Sequence, residues 1–370
     1  MTRVYLDHNA SAPLKPAVKA AMVQALDLVG NPSSVHGFGR AVRRAVEDAR
    51  AQVAALAGVR PAQVFFTGSG TEANNLALRG FPGRRAVVSA IEHESVLATV
   101  PDAPRIPVDR DGVVDLTALD SILAAGEGPG LVSLMLANNE TGVIQPVAQA
   151  AAIAHAHGAL LHCDAVQAAG RLPLDLAALG ADLLTVSAHK IGGPAGAGAL
   201  VLAEGLEPDA LIRGGGQEKR RRAGTENVVG LVGFGAAARL ALQDLPDAER
   251  LTALRDALER RVRDAVPEVL VMGGGAARVG NTSCLLLPGA PGETQVMALD
   301  LAGVAVSAGS ACSSGKVKPS HVLAAMGQGD EAAASAIRVS LGWDSDAAAV
   351  ERFVDAYASM AQRRRRAPAA

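Results

Sequence analysis

The chain has 370 residues, of which 49% are hydrophobic, enough for a large buried core, and its 40 glycines predict many turns. A formal net charge of −2 excludes a global basic surface for phosphate backbones, and 2% aromatic content leaves few platforms for stacking bases, so nucleic acid is a poor first partner. The opening MTRVYLDHNAS has no apolar leader and no later run is long enough to span a bilayer, which predicts a soluble cytoplasmic protein without a membrane partner. Three cysteines, Cys163, Cys284 and Cys312, form no CxxC pair, as expected where thiols stay free for chemistry.

From Arg40 to Gly58, Val42, Ala45, Val46, Ala49, Val53 and Leu56 recur at three- and four-residue steps and predict an amphipathic helix. Short β-rich runs then alternate with helical ones: VFF before TEANNLAL, AVVSAI before HESVLATV, LVSLML before the Ala-rich 147–157, and ALLHCD after it. Such alternation predicts an α/β fold with a mostly parallel sheet and crossover helices. A helical pattern from Asn227 to Leu242, followed by DLPDAERLTALRDALERRVRDAV, leads out of that sheet. Beyond it NTSCLLL, VAVS and AIRVSL read as short strands between helical stretches at 293–302, 319–326 and 346–362, a smaller α+β unit. The predicted division is a large α/β domain over 13–245 and a small α+β domain made of 1–12 and 246–370.

Three strand ends carry chemistry. FFTGSGTEANN runs from a strand through a glycine turn into a helix, whose free backbone N–H groups, with the hydroxyls of Thr67, Ser69 and Thr71, can cradle a phosphate. By turn chemistry alone, an ordinary capped helix start is an equal reading. LLHCDAVQ ends an apolar strand on Asp164, where open α/β sheets place ligands and where a buried carboxylate needs a cationic partner. LLTVSAHKIGGPAGAG sets Lys190 in the same position, and a desolvated lysine becomes a nucleophilic amine. Together these are the parts pyridoxal 5'-phosphate requires: a Schiff-base lysine, a partner for the pyridinium nitrogen and a phosphate cup.

The motifs YLDHNASAP, GNPSSVHGFGR, TGSGTEANN, EHESVL, ANNETG, HCDAVQ, SAHKIGGPAGAGAL, GGGQEKRRRAGTENV, GSACSSG, PSHVL and IRVSLG occur in that order across nearly the whole chain. They resemble the NifS/IscS-like cysteine desulfurases, class V members of the fold-type I pyridoxal phosphate enzymes. The resemblance implies a homodimer that converts L-cysteine to L-alanine and keeps the sulfur as a persulfide for an acceptor protein, such as an iron–sulfur scaffold. It implies that Lys190 holds the cofactor and later moves the Cα proton. Asp164 would pair with the pyridinium nitrogen, Gln167 would bond the phenolic oxygen, and His93 would stack on the ring and act as an acid/base. Gly70, Thr71, Ser187 and His189 would hold the phosphate, joined by Thr225 from the second subunit. Asn138 would sit near the ring oxygen and the substrate, and Arg338 would grip the substrate carboxylate with its planar fork.

Among the thiols, Cys163 and Cys284 lie within strand patterns and read as small buried hydrophobes. Cys312 stands among Gly309, Ser310, Ser313, Ser314 and Gly315, and the motif match makes it the thiolate that takes the substrate sulfur. No resident metal is expected; the nearest case is Cys312 as a transient iron–sulfur ligand shared with a partner. His155, His157, His162 and Cys163 make a poor metal cluster, because positions i and i+2 of a helix do not share a face. KRRR at 219–222 falls in the segment resembling the family's subunit contact, and RRRR at 363–366 reads as a solvated helix end. Two features depart from the family: Lys219 stands where relatives often have glycine, and the sequence given ends at APAA, where bacterial housekeeping relatives continue into a scaffold-docking extension. Two other functions stay open at this level, a selenocysteine lyase and a non-catalytic sulfur-assembly protein of the same fold.

Overall fold

The computed structural model describes residues 3–309 and 319–366, so the Cys312 of the sequence reading lies outside the described residues. After a short first strand β1 (Val4–Tyr5), the chain forms β2 (Val64–Thr67), β3 (Arg85–Ser89), β4 (Arg105–Ile106), β5 (Gly130–Ser133), β6 (Leu160–Asp164), β7 (Leu183–Ser187) and β8 (Gly198–Leu202). These last seven make one sheet in the order β2-β8-β7-β6-β5-β3-β4. Strands β4, β3, β5, β6 and β7 pair in parallel, as the alternating pattern predicts. Strand β8 is antiparallel to both β7 and β2. The reversal has a local cause: the glycine-rich loop between Ser187 and Gly198 holds no crossover helix, so the chain turns back beside the strand it has just left.

Helices α1 (Pro16–Ala25), α2 (Gly37–Leu56), α3 (Gly70–Arg79), α4 (Glu94–Leu97), α5 (Leu116–Ala124), α6 (Val147–Ala156) and α7 (Val228–Gln243) accompany this sheet. Helix α2 buries Val42, Val46, Ala49 and Val53 and leaves Arg40, Arg43, Arg44, Glu47 and Asp48 outward, the face its spacing predicts, with Arg50 turned inward to Glu218. Helix α7 packs on α1 and α2 through glycines: a Cβ at Gly235 would lie 2.6 Å from Ala49 Cα, and one at Gly233 would lie 2.7 Å from Met22 Cγ. Small residues thus fill the role that aromatics play in other cores. HESVLATV predicts a longer helix than the four residues of α4, which stops short of Pro101 because the residue before proline is pushed away from helical backbone.

The rest of the chain adds α8 (Ala248–Ala265), β9 (Leu270–Val271), β10 (Thr282–Leu286), α9 (Gly292–Leu301), β11 (Val304–Ala305), β12 (Ser307–Ala308), α10 (His321–Ala325), α11 (Asp330–Ala333), β13 (Ala336–Ser340) and α12 (Ala347–Arg366). Strands β12-β13-β10-β9 form an antiparallel sheet, while β1 pairs in parallel with β11. VAVS, read as one strand, is therefore two, which join different sheets on either side of Val306. Leu285, Ile337, Val339, Phe353 and Tyr357 pack a core of their own with Leu6 from the N-terminal segment. No single helix among the described residues is long and apolar enough to cross a membrane.

The Lys219 departure has a structural counterpart. Glu218, Lys219 and Arg220 are left-handed, with φ of 45°, 55° and 67°, a region that costs a non-glycine residue about 1–2 kcal/mol. Glycine would be at ease at Lys219. The turn is held by the buried Glu218 carboxylate, which takes both Arg50 Nη atoms at 2.7 Å and the Phe66 amide at 2.9 Å. Lys219 itself donates to the Ala62 carbonyl at 3.1 Å and lies 5.6 Å over the Phe65 ring.

Candidate active site

Strands β2, β6 and β7 end on one side of the sheet, and a cavity of about 300 Å³ opens there. Its walls bring together Gly70, Thr71, His93, Asp164, Gln167, Ser187, His189, Lys190 and Arg338, residues scattered over 268 positions of sequence from 70 to 338. Of the expected residues, Asn138 and Thr225 do not line this cavity, and Thr225 is expected at the second subunit's site. Asn138 is fully buried, its Oδ1 accepting the amides of Glu140 and Thr141 and its Nδ2 donating to the Ile91 carbonyl, while the neighbouring Asn139 lines the cavity. Thr225 is exposed and does not line this chain's cavity.

The helix α3 start follows from its sequence. Ser69 Oγ accepts the Glu72 amide at 3.1 Å, and Thr67 Oγ1 donates to the Ser69 carbonyl at 2.8 Å, so two of the three candidate hydroxyls serve the turn and Thr71 faces the cavity. Gly70 is needed for close approach: a Cβ there would meet Val166 Cγ2 at 3.2 Å and Ser187 Cβ at 3.3 Å. Ser187 Oγ and His189 Nδ1 are 2.9 Å apart. Burial, then the neighbouring Lys190 and His93, push the His189 pKa down to about 4, so this ring is neutral near pH 7.

Asp164 is 6% exposed and takes only neutral donors, Asn74 Nδ2 on Oδ2 at 2.8 Å and the Val166 amide on Oδ1 at 3.0 Å. No cation pairs with it among the described residues. Lys190 Nζ donates to the carbonyls of Asn9 at 2.6 Å and Ala10 at 2.8 Å. Gln167 is oriented from both ends, Nε2 donating to the Asn9 carbonyl at 3.0 Å and Oε1 accepting from Arg171 Nη1 at 2.7 Å. Arg338 is 3% exposed; its Nη2 is paired with Asp7 Oδ1 at 2.8 Å and its Nη1 donates to the Asn139 carbonyl at 3.2 Å. Its buried Nε has no partner among the described residues.

Sequence reasoning passes over Asp7, Asn9, Asn74, Ser95 and Arg171, which position the expected groups, and over Glu92 beside them. Most of them stand in quoted motifs, but a motif shows residue types and not which groups meet. Glu92 is the sharpest case. Fully buried near Asp164, it accepts the Met135 amide on Oε1 at 2.6 Å, and burial first, then the Asp164 charge, pushes its carboxyl up to about 8, so it is mostly neutral at pH 7. The three histidines weighed as a metal cluster go separate ways: His155 to Asp182, His157 to Asp120, and His162 between Ser133 and Thr185 inside the sheet. Among the described residues no three His, Cys, Asp or Glu side chains are grouped for a metal. Cys163 and Cys284 are buried in β6 and β10, and burial pushes both thiols up, away from the reactive thiolate.

The donor set fits pyridoxal 5'-phosphate. A lysine amine and a buried carboxylate with no cation paired to it among the described residues face one cavity, and the open N-terminus of α3 meets it at a glycine that admits close approach. The fold and cavity thus define a pyridoxal phosphate enzyme. The family model for aminotransferase class-V matches residues 4–353. A cysteine desulfurase of Cereibacter sphaeroides is 46% identical over 96% of this chain and 95% of its own length, and an IscS-like cysteine desulfurase of Mycobacterium tuberculosis is 39% identical over 98% and 97%. Among solved structures, a NifS-like protein from Rickettsia africae superposes with a TM-score of 0.91 at 36% identity, covering 97% of this chain and 99% of that one. The chain belongs to the class-V aminotransferase family, among its cysteine desulfurases.

Proposed function

We propose that this protein desulfurates L-cysteine to L-alanine, with Lys190 as the proton carrier at the substrate Cα and Cys312 as the acceptor of its sulfur. The observation that carries the reading is one cavity faced by the Lys190 amine, the buried Asp164 carboxylate and the Arg338 guanidinium. Asp164 and Gln167 would hold the ring of pyridoxal phosphate, His93 would stack on it as an acid/base, and Gly70, Thr71, Ser187 and His189 would take its phosphate. When bound, that cofactor supplies a conjugated electron sink for the pair left at Cα once its proton is removed.

Arg338 binds the substrate carboxylate, and Asp7, paired with its Nη2, helps to fix the guanidinium plane. Lys190 Nζ takes the Cα proton. The Cys312 thiolate attacks the substrate sulfur, forming an S–S bond as the Cβ–S bond breaks; the bond's electron pair stays with carbon, Cβ takes up a proton, Lys190 returns a proton to Cα, and the product leaves as alanine. The products are alanine and a Cys312 persulfide, which passes to an acceptor thiol. The finer parts of the proposal are a cytoplasmic homodimer in which Thr225 of each subunit completes the other's phosphate site, an iron–sulfur scaffold among the acceptors, Asn138 near the ring oxygen, and a large domain of 13–245 beside a small one of 1–12 and 246–370.

The test is turnover of L-cysteine and L-selenocysteine by protein loaded with pyridoxal phosphate. Alanine formed from cysteine in step with released sulfur, and abolished by Lys190→Ala, is the expected result. A strong preference for selenocysteine with negligible sulfur release makes the protein a lyase, and no visible absorption band after incubation with cofactor makes it a non-catalytic relative.

A further inference from the structure

Between His93 and Asp164 lies a chain of buried side chains with no part in the proposal above. Asn74, on α3, is 1% exposed, and Ser95, on α4, is 8% exposed, and both stand in the wall of the cavity. Asn74 Nδ2 donates one proton to Asp164 Oδ2 at 2.8 Å and the other to Ser95 Oγ at 2.8 Å. A carboxylate only accepts, so Asp164 fixes which way the Asn74 amide faces. Ser95 Oγ, accepting from Asn74, lies 2.8 Å from His93 Nδ1, within reach for its own proton to point at that nitrogen. The Ser95 backbone amide also donates to that nitrogen, at 3.1 Å, and an amide N–H has no other role open to it. The Ser95 carbonyl is held in turn by Thr99 Oγ1 at 2.8 Å.

We propose that Asn74 and Ser95 are positioning residues that couple Asp164 to His93 and hold the His93 ring in the tautomer with its proton on Nε2. Two donors meet at Nδ1, which leaves it no room for a proton of its own. The ring therefore offers a proton at Nε2 and cannot take one up at Nδ1, which narrows the acid/base role to that of a donor. Orientation follows as well, because the imidazole cannot turn over without breaking two hydrogen bonds. The inference rests on the reading of this cavity as the cofactor site, but the tautomer is a property of the chain itself.

The experiment is two-bond proton–nitrogen NMR on full-length protein labelled at histidine nitrogens, without cofactor, with the His93 signals assigned through His93→Gln. The wild type should show Nδ1 unprotonated and Nε2 protonated. Ser95→Ala, which leaves only the Ser95 backbone amide on Nδ1, and Asn74→Leu, which frees the Ser95 hydroxyl to accept instead, should each raise the share of the other tautomer, while Ser95→Thr, which keeps the hydroxyl, should not. In the loaded enzyme Ser95→Ala should lower kcat at least roughly tenfold with little change in KM, and Ser95→Thr should restore it. A protonated Nδ1 in the wild type, or a wild-type tautomer and rate in both Ser95→Ala and Asn74→Leu, overturns the proposal. Loss of cofactor binding and turnover in the wild type, with the tautomer as stated, overturns the reading of the cavity instead.

Discussion

Glu92 shows how a single residue sets local electrostatics. Its folded pKa of about 8 stands above the ordinary 4.5, so between those values the folded protein keeps a proton that the unfolded chain has lost. The stability tied to this group is full below about pH 4.5 and is lost as pH rises through that window, by about 1.4 kcal/mol per unit and on the order of several kcal/mol in all. Glu92→Gln keeps the neutral shape without the titration. Denaturant unfolding from pH 5 to pH 9 should show the wild type losing stability relative to this variant as pH rises; parallel curves would refute the assignment. A neutral acid here adds no second negative charge beside Asp164.

At the scale of elements, two backbone sites make opposite predictions. A Cβ at Gly235 of α7 would press to 2.6 Å from the Ala49 backbone, and the helices must part to admit it, so Gly235→Ala should cost about 1–3 kcal/mol despite alanine's better helix propensity. Lys219 is held left-handed with φ 55°, and Lys219→Gly should hold or raise stability by up to about 1 kcal/mol. Denaturation midpoints of the two variants check both signs. The same two elements show what a sequence reveals of its fold. Periodicity exposes α2 and its buried face because that face is written in residue type. The reversal of β8 was not legible, since it depends on a loop too short for a crossover, and neither was the split at Val306, where two sheets compete for one apolar run.

Over the whole molecule, the cavity draws its parts from the seven-stranded and four-stranded sheets and from the N-terminal segment. Asn9 shows the linkage: its carbonyl receives Lys190 and Gln167, while its side chain bonds Thr282 and Asn281 beside the antiparallel sheet. The strand-end residues Asp164 and Lys190 were legible because strand, charge and glycine turn adjoin in sequence. Asn74 and Ser95 were not, because what matters is their meeting across 21 positions, a fact of packing that a single sequence does not write. Arg338 was legible only through the motif it sits in, and its partner Asp7 lies 331 positions away.

The central claim is that sulfur leaves cysteine for Cys312 under the action of Lys190, and mass spectrometry of the protein after a single turnover with sulfur-labelled L-cysteine tests it most directly. The account predicts one labelled sulfur on the Cys312 peptide for each alanine formed, and neither label nor alanine with Lys190→Ala. Label on Cys163 or Cys284, or alanine formed at an undiminished rate by Cys312→Ala, would contradict it.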